Sequence, residues 1–448
     1  MTVFAPKRKA LYLIVALAVF NLVSQAQEKP VSVDRKILAD YAGVYRWAPN
    51  HFLYIQFWDE FGKDQLGAFD ESGEVRALYA LGTDKFFVGS GLASPSPVEA
   101  RIAFTRDEKG RIKSLAWQPE GAAASRTLER AEVYKEESVS FRNGTTKLGG
   151  TLFSPLVPGP YPAAVLAHGS GAQDRNGSLP FALFLVRHGV ALLSYDKRGV
   201  GESTGDWEHS SFQDLADDVI SAIHFLQKNP KIISTKIGVL GVSQGGWIGP
   251  LAASRSKDVA FVVSVSGPGV TPADETLTFM QNEMAANGFP NEDITQAVAL
   301  ARTAFRYAKT GAGWETYLAE RNKAEKTEWF PFMGLSDQKD DPQWEFKRLN
   351  FEYDPVPALT AVQCPVLAFF GGRDLNVVAE KNRAIWETAL RKGGNRDYSL
   401  HIIPDGNHVL MDARTGSIVE FPSLKTFDPA YSTILIHWLA LRLPGVKE

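Results

Sequence analysis

The sequence predicts a two-part chain: a small antiparallel β-domain followed by a larger α/β domain on a mostly parallel sheet with helices on both faces. Three observations carry this. Up to about residue 134, short alternating runs are separated by turn residues. From residue 135, near-continuous apolar runs alternate with helix-period segments. One aromatic-rich stretch, from about residue 268 to 359, breaks that alternation. A chain of 448 residues has room for more than one core. Its net charge of −3 supplies no basic field, which excludes nucleic acid as an expected partner.

The first 26 residues read as an export signal. Lys7, Arg8 and Lys9 precede an apolar run from Ala10 to Val23, followed by Ser24-Gln25-Ala26. That run is short of the roughly 20 residues a membrane span needs. The expectation is cleavage near Ala26, a periplasmic or secreted product, and no stable membrane span after cleavage. Cys364 is the single cysteine, so no intrachain disulfide forms. It opens an apolar strand and reads as a small buried hydrophobe.

Residues 27–134 form the β-domain. Its runs are Phe52–Phe57, Gly67–Phe69, Glu74–Leu78, Phe86–Val88, Ala100–Phe104 and Ile112–Trp117, with turns such as Asp107–Gly110 between them. This spacing fits a small sandwich or barrel. The opening Leu38-x-x-Tyr-x-Gly-x-Tyr45 and the closing Arg126–Arg130 resemble the small lipocalin-like β-domains that accompany some bacterial serine hydrolases. Two roles fit: a ligand or partner module, or an appendage packed on the larger domain, and the second is preferred.

Residues 135–448 begin with a hairpin, Ser138–Arg142 and Lys147–Phe153 around Asn143-Gly144. Apolar strands are expected at Ala163–Ala167, Val190–Tyr195, Ile237–Gly241, Ala260–Val265, Val366–Phe370 and Leu400–Ile403. Helices are expected at Phe212–Gln227 and Pro429–Leu441. A connection as long as 268–359 needs structure of its own and reads as a helical cap. Its aromatics, among them Tyr307, Tyr317, Trp329 and Trp344, are expected mostly to form the cap's own core and seam.

The chemistry concentrates at strand ends. Residues 236–247, KIGVLGVSQGGW, run from an apolar strand into Gly241-Val-Ser243-Gln-Gly245 and then a helix. A serine on such a strand-to-helix turn is a candidate nucleophile, and the flanking glycines allow strand and helix to approach. The helix N-terminus leaves the Gln244 N–H free to face an oxyanion. Upstream, Ala163–Ala167 ends in His168-Gly-Ser-Gly171. The Ser170 N–H is the expected second donor, with Gly169 or Gly171 as alternatives. His168 precedes the nucleophile and is expected to fix this loop. Asp374, after Val366–Phe370, is the candidate acid, with Asp405 as its rival. His408, in the turn after Leu400–Ile403, is the candidate base, while His401 and His437 read as structural.

The order Ser243, Asp374, His408, with HGSGAQDRNG (168–177), YDKRGVGES (195–203), GVSQGG, GGRD and DGNH, resembles the α/β-hydrolase superfamily. Within it the motifs resemble bacterial esterases of the serine-aminopeptidase and dienelactone-hydrolase-like branch. The resemblance implies hydrolysis of carboxylic esters through an acyl-enzyme on Ser243, acting on a small ester or short acyl substrate. It implies no metal and no organic cofactor. YDKRGVGES is expected to hold a loop beneath the site. Asp174 and Arg175 are expected to position the oxyanion loop, Arg175 binding a substrate carboxylate being the alternative. An exported peptidase or aminopeptidase of the same fold is the rival reading; it needs a site for the substrate amine, which the sequence does not reveal. A non-catalytic binding protein would be expected to have lost a triad member, and none is lost.

Overall fold

Eight short strands close into an antiparallel barrel at the start of the computed structural model, which describes residues 29–58, 64–70 and 72–448. The expected export signal and its cleavage point lie outside the described residues. The strands are β1 (Gly43–Ala48), β2 (His51–Phe57), β3 (Leu66–Asp70), β4 (Val75–Gly82), β5 (Lys85–Val88), β6 (Ala100–Arg106), β7 (Ile112–Pro119) and β8 (Arg126–Ala131). Each pairs with the next, and β1 closes on β8 through Val44 opposite Ala131 and Tyr45 opposite Arg130. Closure removes the exposed edges of an open sheet.

Alternation explains how the barrel packs. Along β2, Leu53, Ile55 and Phe57 point into a filled interior with Tyr45, Phe86, Phe104 and Leu115. The intervening Phe52 and Tyr54 point outward and join Phe69 and Val75 in a core shared with the second domain. A strand with both faces buried is mostly apolar on both, and in β2 only His51 and Gln56 depart from this. The barrel's interior is filled, and its outer face shares a core with the larger domain.

The larger domain is one sheet of β9 (Tyr134–Asn143), β10 (Thr146–Pro155), β11 (Tyr161–Ala167), β12 (Ala191–Tyr195), β13 (Ile232–Val242), β14 (Val262–Val265), β15 (Val366–Gly371) and β16 (Tyr398–Ile403). Its spatial order is β16-β15-β14-β13-β11-β12-β10-β9. The β9–β10 hairpin is antiparallel and turns at Gly144, whose φ is 56°. From β12 to β16 all neighbours are parallel. β13 begins at Ile232, earlier than its apolar run, because Ile232 pairs with Tyr161 before an irregularity in the ladder. This is an α/β-hydrolase fold.

Helices cover both faces. The helix Phe212–Gln227 is opened by a capping box in which Ser211 and Asp214 bond each other's backbone, and it buries Leu215, Val219 and Ile223. The C-terminal helix Pro429–Ala440 buries Leu435, Trp438 and Leu439 on the opposite face. Between β14 and β15 lie the helices Pro272–Ala286, Asn291–Thr310, Trp314–Ala324 and Gln343–Asn350. Here Tyr307, Tyr317 and Trp344 pack ring to ring at 5.2–6.1 Å, in a cluster with Trp329. These aromatics form the insertion's own core.

The barrel and the sheet domain are also joined by backbone. The Val75 N–H donates to Lys425 O (2.7 Å), and the Phe427 N–H to Gly73 O (2.8 Å). Residues 426–427 pair in turn with 411–412, and Asp412 pairs with Gly406. A ladder therefore runs from the barrel's edge to the loop that carries His408.

Candidate active site

Three loops at the C-terminal ends of β13, β15 and β16 converge. Ser243 follows β13 with a φ of 53°, a left-handed conformation that a serine adopts only under constraint. The constraint is steric. A Cβ on Gly241 would lie 2.1 Å from the Gly245 carbonyl oxygen, and one on Gly245 would lie 2.3 Å from that of Ala167. Only glycines let the strand, the elbow and the following helix, Gly245–Arg255, pack this closely. The second contact also sets the elbow against the end of β11, where the His168–Gly171 loop begins.

Ser243 Oγ lies 2.9 Å from His408 Nε2, and His408 Nδ1 lies 2.8 Å from Asp374 Oδ2. An ionised carboxylate only accepts, so Nδ1 carries the hydrogen and Nε2 is left to accept from Ser243. The Asp374 side chain is fully buried, and its Oδ1 accepts the N–H groups of Asn376 and Val377, both at 2.8 Å. The base loop is equally fixed. Asn407 is buried, and its Oδ1 accepts the N–H groups of Val409 and Met411. Asp405, the rival acid, lies at the surface 3.4 Å from Arg373 Nη2. His401 stacks on Phe369, and His437 pairs with Glu448. Neither is brought to Ser243.

The His168–Gly171 loop is held from several sides. His168 is buried and bonded through Nε2 to the Tyr195 carbonyl; burial and the neighbouring Lys197 push its pKa down to about 3, so it is neutral. The Gly169 N–H donates to Gln173 Oε1 (2.8 Å), which removes Gly169 from the alternative donors and leaves Ser170 and Gly171. Arg175 is engaged by Asp196, at 2.6 Å through Nη2, and by Glu202, so its guanidinium is committed to the protein's own carboxylates. Asp174 caps its own turn through the Asn176 N–H and meets Arg35. The YDKR segment thus supplies Asp196 to Arg175, Lys197 to the carbonyls of Gly169 and Gly171, and Arg198 to Asp218.

Two residues at this site were not singled out from sequence. Asn376 Nδ2 lies 3.5 Å from His408 Nε2. Glu275, in the first turn of the helix Pro272–Ala286, feels the charges of His408 and Asp374. Burial raises its pKa to about 7. An acidic residue in a first helical turn reads from sequence as ordinary dipole compensation, so no local signal marks Glu275. That helix is also tied to the acid loop, by Asn282 Nδ2 donating to Leu375 O at 2.9 Å.

Cys364 is half-buried, and burial pushes its thiol up to about 11, away from reactive thiolate character. Among the described residues no group of His, Cys, Asp and Glu side chains could hold a metal, and no helix is long and apolar enough to cross a membrane.

The family model of the X-Pro dipeptidyl-peptidases (S15 family) matches residues 111–409, a span that includes Ser243, Asp374 and His408. Esterase EstD of Thermotoga maritima is 25% identical over 350 residues, covering 76% of this chain and 76% of that protein. Prolyl oligopeptidase A of Galerina marginata is 25% identical over 236 residues, covering 46% of this chain and 30% of that protein. A solved esterase of Pyrococcus furiosus aligns with a TM-score of 0.44 and 19% identity, covering 69% of this chain and 91% of that one. The chain belongs to the X-Pro dipeptidyl-peptidase (S15) family and is a serine hydrolase of the α/β-hydrolase fold.

Proposed function

We propose that the protein hydrolyses carboxylic esters through an acyl-enzyme on Ser243. The observation that carries this is the row Ser243–His408–Asp374, joined at 2.9 and 2.8 Å, with the serine held at positive φ. His408 Nε2 takes the Oγ proton as Ser243 attacks the ester carbonyl. Asp374 holds the imidazole in the required tautomer and stabilises the imidazolium. The N–H groups of Gln244 and Ser170 face the tetrahedral oxyanion. The C–O bond then breaks, and His408 returns its proton to the leaving alkoxide. Water enters, gives its proton to His408 and attacks the acyl carbon, releasing the acid and free Ser243.

The test is Ser243→Ala. It should abolish labelling by a fluorophosphonate probe and lower kcat for p-nitrophenyl acetate by about 10⁶-fold. Continued labelling of the variant would refute the assignment.

Glu275 favours a second reading, amide hydrolysis of substrates that carry an ammonium group. The sequence reading left the peptidase alternative without an amine site, and the Glu275 carboxylate beside the His408 loop is a candidate for one. Aminoacyl p-nitroanilides set against p-nitrophenyl esters decide between the readings. Faster amide turnover, with a KM raised by Glu275→Gln only for amine-bearing substrates, selects the peptidase. Equal effects of that variant on neutral and cationic substrates remove it.

A further inference from the structure

We propose that Lys197 is a positioning residue for the oxyanion hole, its ammonium polarising the Gly169–Ser170 peptide from behind and tying that loop to Gln244. This rests on the reading of the Ser170 and Gln244 N–H groups as the oxyanion donors. Lys197 leaves the end of β12 and is only 2% exposed. Its Nζ lies 2.6 Å from Gly169 O, 2.7 Å from Gly171 O and 3.1 Å from Gln244 Oε1. An ammonium has three N–H donors, and these three oxygens use them all. The Trp207 ring, 5.6 Å from Nζ, lies on another side.

The bonding pattern is unusual for a buried lysine. Such a charge ordinarily meets a carboxylate. The carboxylates nearby are committed elsewhere: Asp196 to Arg175, and Asp218 to Arg198. Three neutral oxygens hold Lys197 instead, and burial pulls its pKa down to about 7. Lys197 is therefore buried among neutral oxygens with no carboxylate on its Nζ, at a desolvation cost to its charged form.

The choice of acceptors explains its use. The Gly169 carbonyl and the Ser170 N–H are two ends of one peptide unit. A cation bonded to the carbonyl withdraws electron density and strengthens the N–H as a donor. The same ammonium binds the side chain of Gln244, whose own N–H is the other donor. One group thus spans both halves of the hole, and its charge is better compensated once an oxyanion forms there. Such preorganised stabilisation acts on the transition state more than on bound substrate.

The experiment compares Lys197→Met, Lys197→Gln and Lys197→Arg with the parent and with Ser243→Ala, on p-nitrophenyl acetate and on fluorophosphonate labelling rate. Folding is followed by thermal melting. Lys197→Met should lower kcat about 10²- to 10³-fold, change KM by less than about threefold, and slow phosphonylation by a factor similar to kcat. Lys197→Gln, which keeps donors but no charge, guards against a Met variant that fails to fold, and it should show the same split with a smaller loss. Lys197→Arg should recover part of kcat. A folded Gln or Met variant with parental kcat overturns the proposal, as does a loss confined to KM or to melting temperature. Failure of the underlying nucleophile assignment would show separately, as activity in Ser243→Ala.

Discussion

The barrel and the sheet domain both have close-packed apolar interiors, yet they treat polar groups and backbone strain differently. Among the described residues, the buried polar side chains of the barrel strands are Gln56 and Ser114. The sheet domain buries His168, Asp196, Lys197, Arg198, Asp218, Asp374 and Asn407, among others. Non-glycine residues at positive φ divide the same way. In the barrel they are Asn50, Asp64 and Asp84, residue types that tolerate the left-handed region. In the sheet domain they are Ser243, Ser266 and Leu410, which do not. Ser243 is the proposed nucleophile, Ser266 follows the neighbouring strand, and Leu410 lies two residues past His408. The strained non-glycine residues of the sheet domain thus lie at its strand-end loops, while the barrel contains almost no buried polar side chains.

That contrast can be tested by separating activity from stability. The largest effect is expected at Asp374→Asn, which reverses the tautomer demanded of His408. It should cost about 10⁴-fold in kcat on p-nitrophenyl acetate with little change in melting temperature. The barrel should answer in the opposite way. Phe86 is 1% exposed and packs on Tyr41 and Phe104 at 4.9 and 5.5 Å. Phe86→Ala should lower unfolding free energy by about 3–5 kcal/mol in urea titration and leave kcat per folded molecule unchanged. A collapse of kcat with an unchanged urea midpoint would break the distinction.

A smaller effect should appear at Glu275 and depend on pH. The folded protein holds this proton up to about pH 7, against an ordinary value of 4.5. Between those values the unfolded chain binds fewer protons, so Glu275 makes folding less favourable as pH rises, and the loss persists above 7. Glu275→Gln should therefore raise melting temperature more at pH 8 than at pH 4.5; an equal difference at both would show that the folded-state value is not raised. The smallest effect is expected at the seam. Lys425 meets Glu99 of the barrel, but both side chains are more than a third exposed. Lys425→Ala should cost less than about 1 kcal/mol. A large loss of activity there would mean that the ladder from Gly73 through 426–427 to the His408 loop controls the base.

Much of the site was legible because its parts are local. Gly241 of Gly241-x-Ser243-x-Gly245 reflects a clash within five residues of chain, whereas Gly245 answers to the distant Ala167 carbonyl. Asp374 follows a fully buried apolar strand, and His408 follows the half-buried edge strand Tyr398–Ile403. The helix Phe212–Gln227 was readable from its period, and the structure adds Ser211 as its cap. The barrel's first strand was harder, since Arg46 and Trp47 interrupt its alternation and its register is set by β2 and β8.

What the sequence determined by itself was therefore the type and order of the elements, and the residues placed at their ends. These follow from steric and hydrophobic periodicities that act over a few residues. Tertiary structure alone decided which distant groups met. It closed the barrel and turned its outer apolar positions onto the sheet domain. It brought Glu275 to the His408 loop and led Lys197 beneath the Gly169–Ser170 peptide. A buried charge and its partners lie far apart along the chain, at 197, 169, 171 and 244, and no local periodicity encodes such a meeting.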